Sequence, residues 1–121
     1  SKRNLNISGS NVLILGITFK ENCPDIRNTK VIDLYKKLKK YNVNTVVFDP
    51  LADIKETFET YSIEMISKLE FSRIFDAVVV AVAHEEFKLL NNSHWKSLVK
   101  KRGIIFDLKG VLDKKLNCIR L

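Results

Sequence analysis

Two stretches of this chain lack the polar alternation that a strand with one wet face would show. Asn11–Gly16 reads NVLILG, and Ala77–Ala83 reads AVVVAVA and ends at His84. Short apolar runs of this kind fit strands buried on both faces, as in a parallel sheet covered by helices on each side. A chain that carries two of them must supply helices for two faces.

The stretches between them supply those helices. From Asn28 the apolar period becomes helical, with Val31, Leu34, Tyr35, Leu38 and Tyr41 on one face and Lys30, Lys36, Lys37, Lys39 and Lys40 largely elsewhere. Asn28 is the expected N-cap, and the late lysines suit the helix dipole. Asn44–Phe48 reads as the second strand, closed by Asp49-Pro50. Residues 53–60, 85–90 and 93–101 read as short helices. Ser62–Ile66, Ile104–Leu108 and an edge segment Asn117–Leu121 read as further strands. Strands alternating with helices imply right-handed crossovers. The expected fold is α/β, a three-layer Rossmann-like domain with a mostly parallel sheet and helices on both faces.

A length of 121 residues argues for one domain, expected over residues 11–121. No apolar run approaches the roughly 18 residues that a membrane span needs, so no membrane association is expected. Ser1–Asn6 is polar and shows no secretory h-region. Cys23 and Cys118 form no CxxC pair, so no zinc site is expected, a domain with this much core does without a disulfide, and the compartment reads as reducing and cytoplasmic. The net charge of +7 suits a nucleic acid, an anionic surface or a phosphorylated small molecule, and equally a solvated surface.

In open sheets of this class, ligands gather at the carboxyl ends of the strands. That rule selects Thr18, Phe19, Lys20 and the loop to Arg27, then Asp49, His84, and finally Lys109 with Gly110. Lys20, Arg27 and Lys109 would form a cationic mouth for phosphates, and a helix N-terminus near Asn28 would add free N–H groups. Each residue has a plainer reading. Lys20 and Arg27 are solvated loop charges, Asp49 is a turn residue before Pro50, and His84 caps the next helix or bonds a loop carbonyl. The first loop reads Gly16-Ile17-Thr18-Phe19 and not G-x-G-x-x-G. It lacks the glycines that let a backbone approach a pyrophosphate, so NAD is not expected here in the usual dinucleotide manner.

The run GITFKENCPDIRNTKVIDLYKKLKKYNVNTVVFDP, with AVVVAVAHEEFKLL and IIFDLKGVLD further on, resembles the C-terminal domain of the UDP-glucose/GDP-mannose dehydrogenases. The likeness covers roughly residues 10–121, and FKENCPDIRNTK is most similar to the branch acting on UDP-N-acetylhexosamines. The resemblance implies a three-part enzyme that oxidises a sugar C6 alcohol to a carboxylate in two NAD-dependent steps for surface polysaccharides. NAD is held mainly by an upstream domain, and a middle domain drives formation of a homodimer or higher assembly. Residues 1–10 would then be a linker from those domains, and the chain alone would be inactive. By position, Phe19 and Lys20 would contact the UDP-sugar, Lys109 would do so where several members carry arginine, and Arg27 would approach NAD. The family's cysteine nucleophile lies in a segment without a counterpart here, so neither cysteine inherits it. No catalytic residue or metal is expected in the chain.

Two rivals are structural. A stand-alone doubly wound nucleotide-binding or receiver-like module has this size, but a receiver needs paired acids after its first strand, where Ile17-Thr18-Phe19-Lys20 stands. A nucleic-acid module would interleave aromatic and basic residues on one face, whereas Tyr35 and Tyr41 fall on the apolar helix face.

Overall fold

The computed structural model describes residues 7–110, 112, 113 and 116, and the backbone of 119 and 120. Its elements run β1 (Asn11–Leu15), α1 (Val31–Lys40), β2 (Asn44–Phe48), α2 (Ile54–Tyr61), β3 (Phe75–Val80), α3 (Glu85–Lys88), α4 (Asn92–Leu98), β4 (Val99–Asp107) and β5 (Ile119–Arg120). The strands form one sheet in the order β2-β1-β3-β4-β5, and every ladder is parallel.

The two apolar runs become the sheet's centre. Leu13, Ile14 and Leu15 are wholly buried, as are Val78 and Val80. Alternation divides each strand between two cores. Val12 and Ile14 of β1 and Val79 of β3 face a layer with Ile32, Leu34, Tyr35 and Leu38 of α1 and Tyr61 of α2. Leu13, Leu15, Val78 and Val80 face Phe87 of α3 and Trp95 and Leu98 of α4. Full burial of each such side chain contributes about 1.5–3 kcal/mol, so the pattern that most constrained the fold also supplies much of its stability. No helix among the described residues is long and apolar enough to cross a membrane.

Several boundaries differ from the sequence reading. β3 begins at Phe75 and stops at Val80, and Ala81–Ala83 turns away because β1 has ended. The N–H groups of Ala81 and Val82 both donate to the Leu15 carbonyl, at 2.9 and 3.3 Å. Helix 93–101 ends early: Val99 adopts extended angles and opens β4, pairing with Phe75 before the register shifts to Ala77↔Ile104. Gly103 sits in that irregularity, where a Cβ would stand 2.7 Å from the Val99 Cβ. Asn28 does not cap α1. It adopts a left-handed φ of 56°, and the helix starts at Val31, whose N–H donates to Thr29 Oγ1. Asp53 does cap α2, accepting from Glu56 N at 2.8 Å. Ser62–Ile66 contributes only the bridge Val47↔Met65. Tyr41, expected on the apolar face, follows α1 and is exposed. Cys118 and most of the 117–121 segment lie outside the described residues, although Ile119–Arg120 pairs with β4 as an edge strand.

Candidate functional site

The strand order reverses at β1: β2 lies on one side of it and β3 on the other. The chain leaves β1 for α1 on one face and leaves β3 for α3 on the other. A crevice at the carboxyl edge of such a reversal is where doubly wound folds place ligands. Here that edge holds a cleft of about 230 Å³, to which Phe19, Lys20, Lys30 and Lys109 contribute with Thr18 and Val82.

The loop after β1 owes its shape to buried polar groups. Gly16 has φ 96°, and a Cβ there would lie 2.5 Å from the Val82 Cβ and 2.9 Å from the Val82 N. Only glycine suits both the angle and the approach. Beyond it, Ile17 N and Thr18 N donate to Asp49 Oδ2 at 2.7 and 3.2 Å. Asp49 stands just past β2, and its Oδ1 accepts from Leu51 N and Ala52 N at 2.8 and 3.1 Å. One carboxylate thus holds the exits of two neighbouring strands.

His84, wholly buried past β3, completes the group. Its Nε2 is 2.8 Å from Asp49 Oδ2 and 3.1 Å from Thr18 Oγ1, and its Nδ1 accepts from Asn22 N at 3.0 Å. An Nδ1 that accepts carries no proton, so the ring proton of the neutral imidazole sits on Nε2 and faces Asp49. Thr18 Oγ1 donates to the Lys20 carbonyl at 3.1 Å, and Asn22 Oδ1 accepts from Glu85 N at 2.9 Å. Burial alone raises the Asp49 carboxyl. Hydrogen bonds from His84, Ile17 and Leu51 outweigh that effect and hold its pKa below the usual carboxylate value. The His84 backbone does cap α3, accepting from Phe87 N, but its side chain makes no cap bond. Neither sequence reading of that side chain anticipated a carboxylate partner.

The outer half of the loop is held by a second acid. The Asp25 carbonyl accepts from Phe19 N at 2.7 Å. Its carboxylate grips Arg27 through Nε at 3.0 Å and Nη2 at 2.8 Å. These bonds to Arg27 lower the Asp25 pKa to about 2. The D-x-R spacing therefore has a local cause, a fork-to-carboxylate pair across two residues. The Arg27 side chain is 82% exposed and does not line the cleft, so the expected mouth of Lys20, Arg27 and Lys109 is incomplete. Lys30 takes the vacant place in that trio. The sequence reading sets it off the apolar face of α1 with the other lysines and gives it no place at the cleft. With α1 starting at Val31, Lys30 is its N-cap residue and faces the cleft. Lys109 is presented by a turn in which Asp107 Oδ2 accepts from Leu112 N at 2.9 Å and Gly110 adopts φ 65°.

Three lysines, the N-terminus of a ten-residue helix and one exposed aromatic ring can receive a phosphorylated ligand with a flat or apolar part. Asp49 is only 4% exposed and saturated with donors, so it is unsuited to accept a phosphoryl group. No group of three or more His, Cys, Asp or Glu that could hold a metal occurs among the described residues. Cys23 is half-buried and free.

Comparison with known proteins gives this geometry a context. Residues 13–114 match the model described as "UDP-glucose/GDP-mannose dehydrogenase family, UDP binding domain". The UDP-N-acetyl-D-glucosamine 6-dehydrogenase of Salmonella typhi is 43% identical over 99% of this chain and 28% of its own length. Protein CapL of Staphylococcus aureus is 41% identical over 93% of this chain and 26% of its own. Among solved structures, the NDP-N-acetyl-D-galactosaminuronic acid dehydrogenase of Methanosarcina mazei superposes with a TM-score of 0.79 at 25% identity, covering 95% of this chain and 24% of that one. The UDP-D-ManNAc dehydrogenase of Pyrococcus horikoshii shares the fold, with a TM-score of 0.69 at 23% identity over 98% of this chain and 26% of that one. The chain spans little more than a quarter of the curated relatives it matches. With the match extending from within β1 to the turn beyond Lys109, the chain belongs to the UDP-glucose/GDP-mannose dehydrogenase family, whose UDP-binding domain it represents.

Proposed function

We propose that this chain is the nucleotide-sugar-binding domain of an NAD-dependent 6-dehydrogenase that oxidises the C6 alcohol of a UDP-sugar, a UDP-N-acetylhexosamine or UDP-glucose, to a uronic acid in the cytoplasm for surface polysaccharide synthesis. One observation carries the reading: the cleft at the β1/β3 reversal gathers Lys20, Lys30, Lys109 and the α1 N-terminus around the exposed ring of Phe19. The diphosphate is assigned to the lysines and the helix N-terminus. Phe19 shapes the wall beside them through its ring and backbone. Lysine at 109 supplies charge without the bidentate fork of an arginine. About 230 Å³ falls below the ~300–1,000 Å³ typical of small-molecule sites, so other domains of the protein complete the pocket.

The cleft does not fit a dinucleotide in the Rossmann manner. No glycine among the described residues lines it: Gly16, at the β1 exit, is packed against Val82 outside the cleft, and Thr18, Phe19 and Lys20 carry side chains where a pyrophosphate would need bare backbone. NAD, the hydride acceptor of both oxidations, is therefore assigned chiefly to an upstream domain, and a middle domain to assembly of a homodimer or larger. This chain binds and orients the nucleotide end of the substrate. Arg27, held by Asp25 and exposed outside the cleft, is assigned to the cofactor side of the domain boundary.

Calorimetry on the isolated chain with UDP, GDP and NAD tests the reading. UDP should bind weakly, NAD not measurably, and no turnover should occur. Lys20→Ala should weaken UDP at least about tenfold, the loss of roughly one charge-assisted contact. Preference for GDP, or unchanged UDP affinity in Lys20→Ala, would refute the assignment.

A further inference from the structure

We propose that Thr18, Asp49 and His84 are positioning residues, a buried polar latch that fixes the Phe19–Asn22 loop in its ligand-receiving shape. The inference rests on the reading of that cleft as the nucleotide-sugar site. Three strand exits meet in the latch. Asp49, after β2, receives the N–H groups of Ile17 and Thr18 after β1 and the Nε2–H of His84 after β3. The latch then acts on the loop at two further points. Thr18 Oγ1 fixes the Lys20 carbonyl, and His84 Nδ1 fixes the Asn22 N–H. Phe19 and Lys20 lie between these anchors and are themselves exposed. Among the described residues neither side chain makes a hydrogen bond, so the segment is held through its backbone, by the latch beneath it and by the Phe19 N–H on the Asp25 carbonyl.

The arrangement is more than core filling. Asp49 and His84 are almost wholly buried polar groups in a layer where apolar side chains of equal size would pack at lower cost. Their hydrogen bonds are spent on loop backbone: four N–H groups on the carboxylate and one on the imidazole. A latch of this kind lowers the ordering cost of binding, because the loop is already in place when the ligand arrives.

The test separates loop order from ligand binding. Thr18→Val keeps the side-chain shape and removes only the hydroxyl. His84→Leu removes both ring nitrogens, and His84→Gln offers again a donor for Asp49 and an acceptor for the Asn22 amide. Nitrogen-15 relaxation and amide exchange should show Lys20 and Glu21 gaining fast motion in Thr18→Val. The Asn22 amide should lose at least tenfold protection in His84→Leu and recover part of it in His84→Gln. Leu13–Leu15 and Val78–Val80 should keep their protection throughout. Ring nitrogen-15 shifts of His84 in the wild type should report the Nε2–H form. UDP affinity should fall about three- to tenfold in Thr18→Val without loss of the folded state. Unchanged loop motion in folded Thr18→Val, or a mobile loop with unchanged UDP affinity, would overturn the proposal. If wild-type protein fails to bind UDP, the site reading falls, and the relaxation data still decide whether the latch orders the loop.

Discussion

Replacing Asp49 by asparagine tests how much the buried carboxylate contributes to the fold. Oδ2 accepts from Ile17 N, Thr18 N and His84 Nε2, and Oδ1 accepts from Leu51 N and Ala52 N. An amide has one acceptor oxygen. Whichever way it turns, its NH2 group faces at least two N–H donors that previously had an acceptor. A buried polar group left unsatisfied costs about 1–3 kcal/mol, and breaking a buried pair typically costs about 3–5 kcal/mol. We expect Asp49→Asn to lose about 3–5 kcal/mol, a large share of the ~5–15 kcal/mol typical of a domain. At this chain length that corresponds to a Tm drop of roughly 10–20 °C.

Urea unfolding at pH 7, followed by the fluorescence of buried Trp95, is the assay. The built-in comparison is Asp53→Ala. Asp53 is also an aspartate at a turn, but it is exposed and makes a single cap bond to Glu56 N, so it should lose only about 1 kcal/mol. If Asp49→Asn loses no more than Asp53→Ala, the latch has little energetic weight and the reasoning fails. The pH dependence gives a second check. Asp49 has a folded pKa below its unfolded value of about 3.9. Its contribution is therefore fully present above pH ~4 and is lost as pH falls through the folded pKa. The stability gap between wild type and Asp49→Asn should hold steady from pH 7 to about pH 5 and close in more acid solution. A gap that widens on acidification would contradict the assigned shift.

Gly16→Ala should destabilise by more than ~1 kcal/mol in thermal melts, since both φ 96° and the 2.5 Å approach to Val82 oppose a Cβ. A neutral result would mean that the β1 exit is free to shift. The Asp25 carboxyl should titrate near 2 by carbon-13 NMR and move toward the ordinary aspartate range in Arg27→Gln, because the Arg27 hydrogen bonds cause the depression. An unmoved titration would remove the local explanation of the D-x-R pair.

The architecture was legible because it rests on patterns that act locally. The NVLILG and VVV runs have no face to give to water, so they had to be central, and they are. The α1 face was legible from a 3.6-residue period. What failed were boundaries set by neighbours rather than by the segment itself. Ala81–Ala83 continues the composition of β3, yet it leaves the sheet because β1, its partner, ends at Leu15. Val99–Lys101 follows a helix and carries its charge pattern, yet pairing of Val99 with Phe75 makes it strand. Asn28 has the right chemistry for an N-cap, but the chain passes it in a left-handed turn and starts the helix three residues later.

The site divides along the same line. That Phe19, Lys20 and Lys109 line one cleft was legible because strand ends converge on one edge in any sheet of this topology. Lys30 was missed because it stands at no strand end and reaches the cleft from the N-terminus of α1. Asp49 and His84 were on the list of strand-end residues, but nothing in sequence could join positions 35 residues apart. Their pairing depends on β2 and β3 flanking β1, which is a fact of strand order and not of spacing. The reading of His84 as a helix cap found only the local half for the same reason: it is the N-cap residue of α3 through its backbone, while its ring answers to Asp49, Thr18 and Asn22, which are distant in sequence. A sequence can therefore nominate the residues that line such an edge, whereas the residues that hold them in place become visible only when the strand order brings them together.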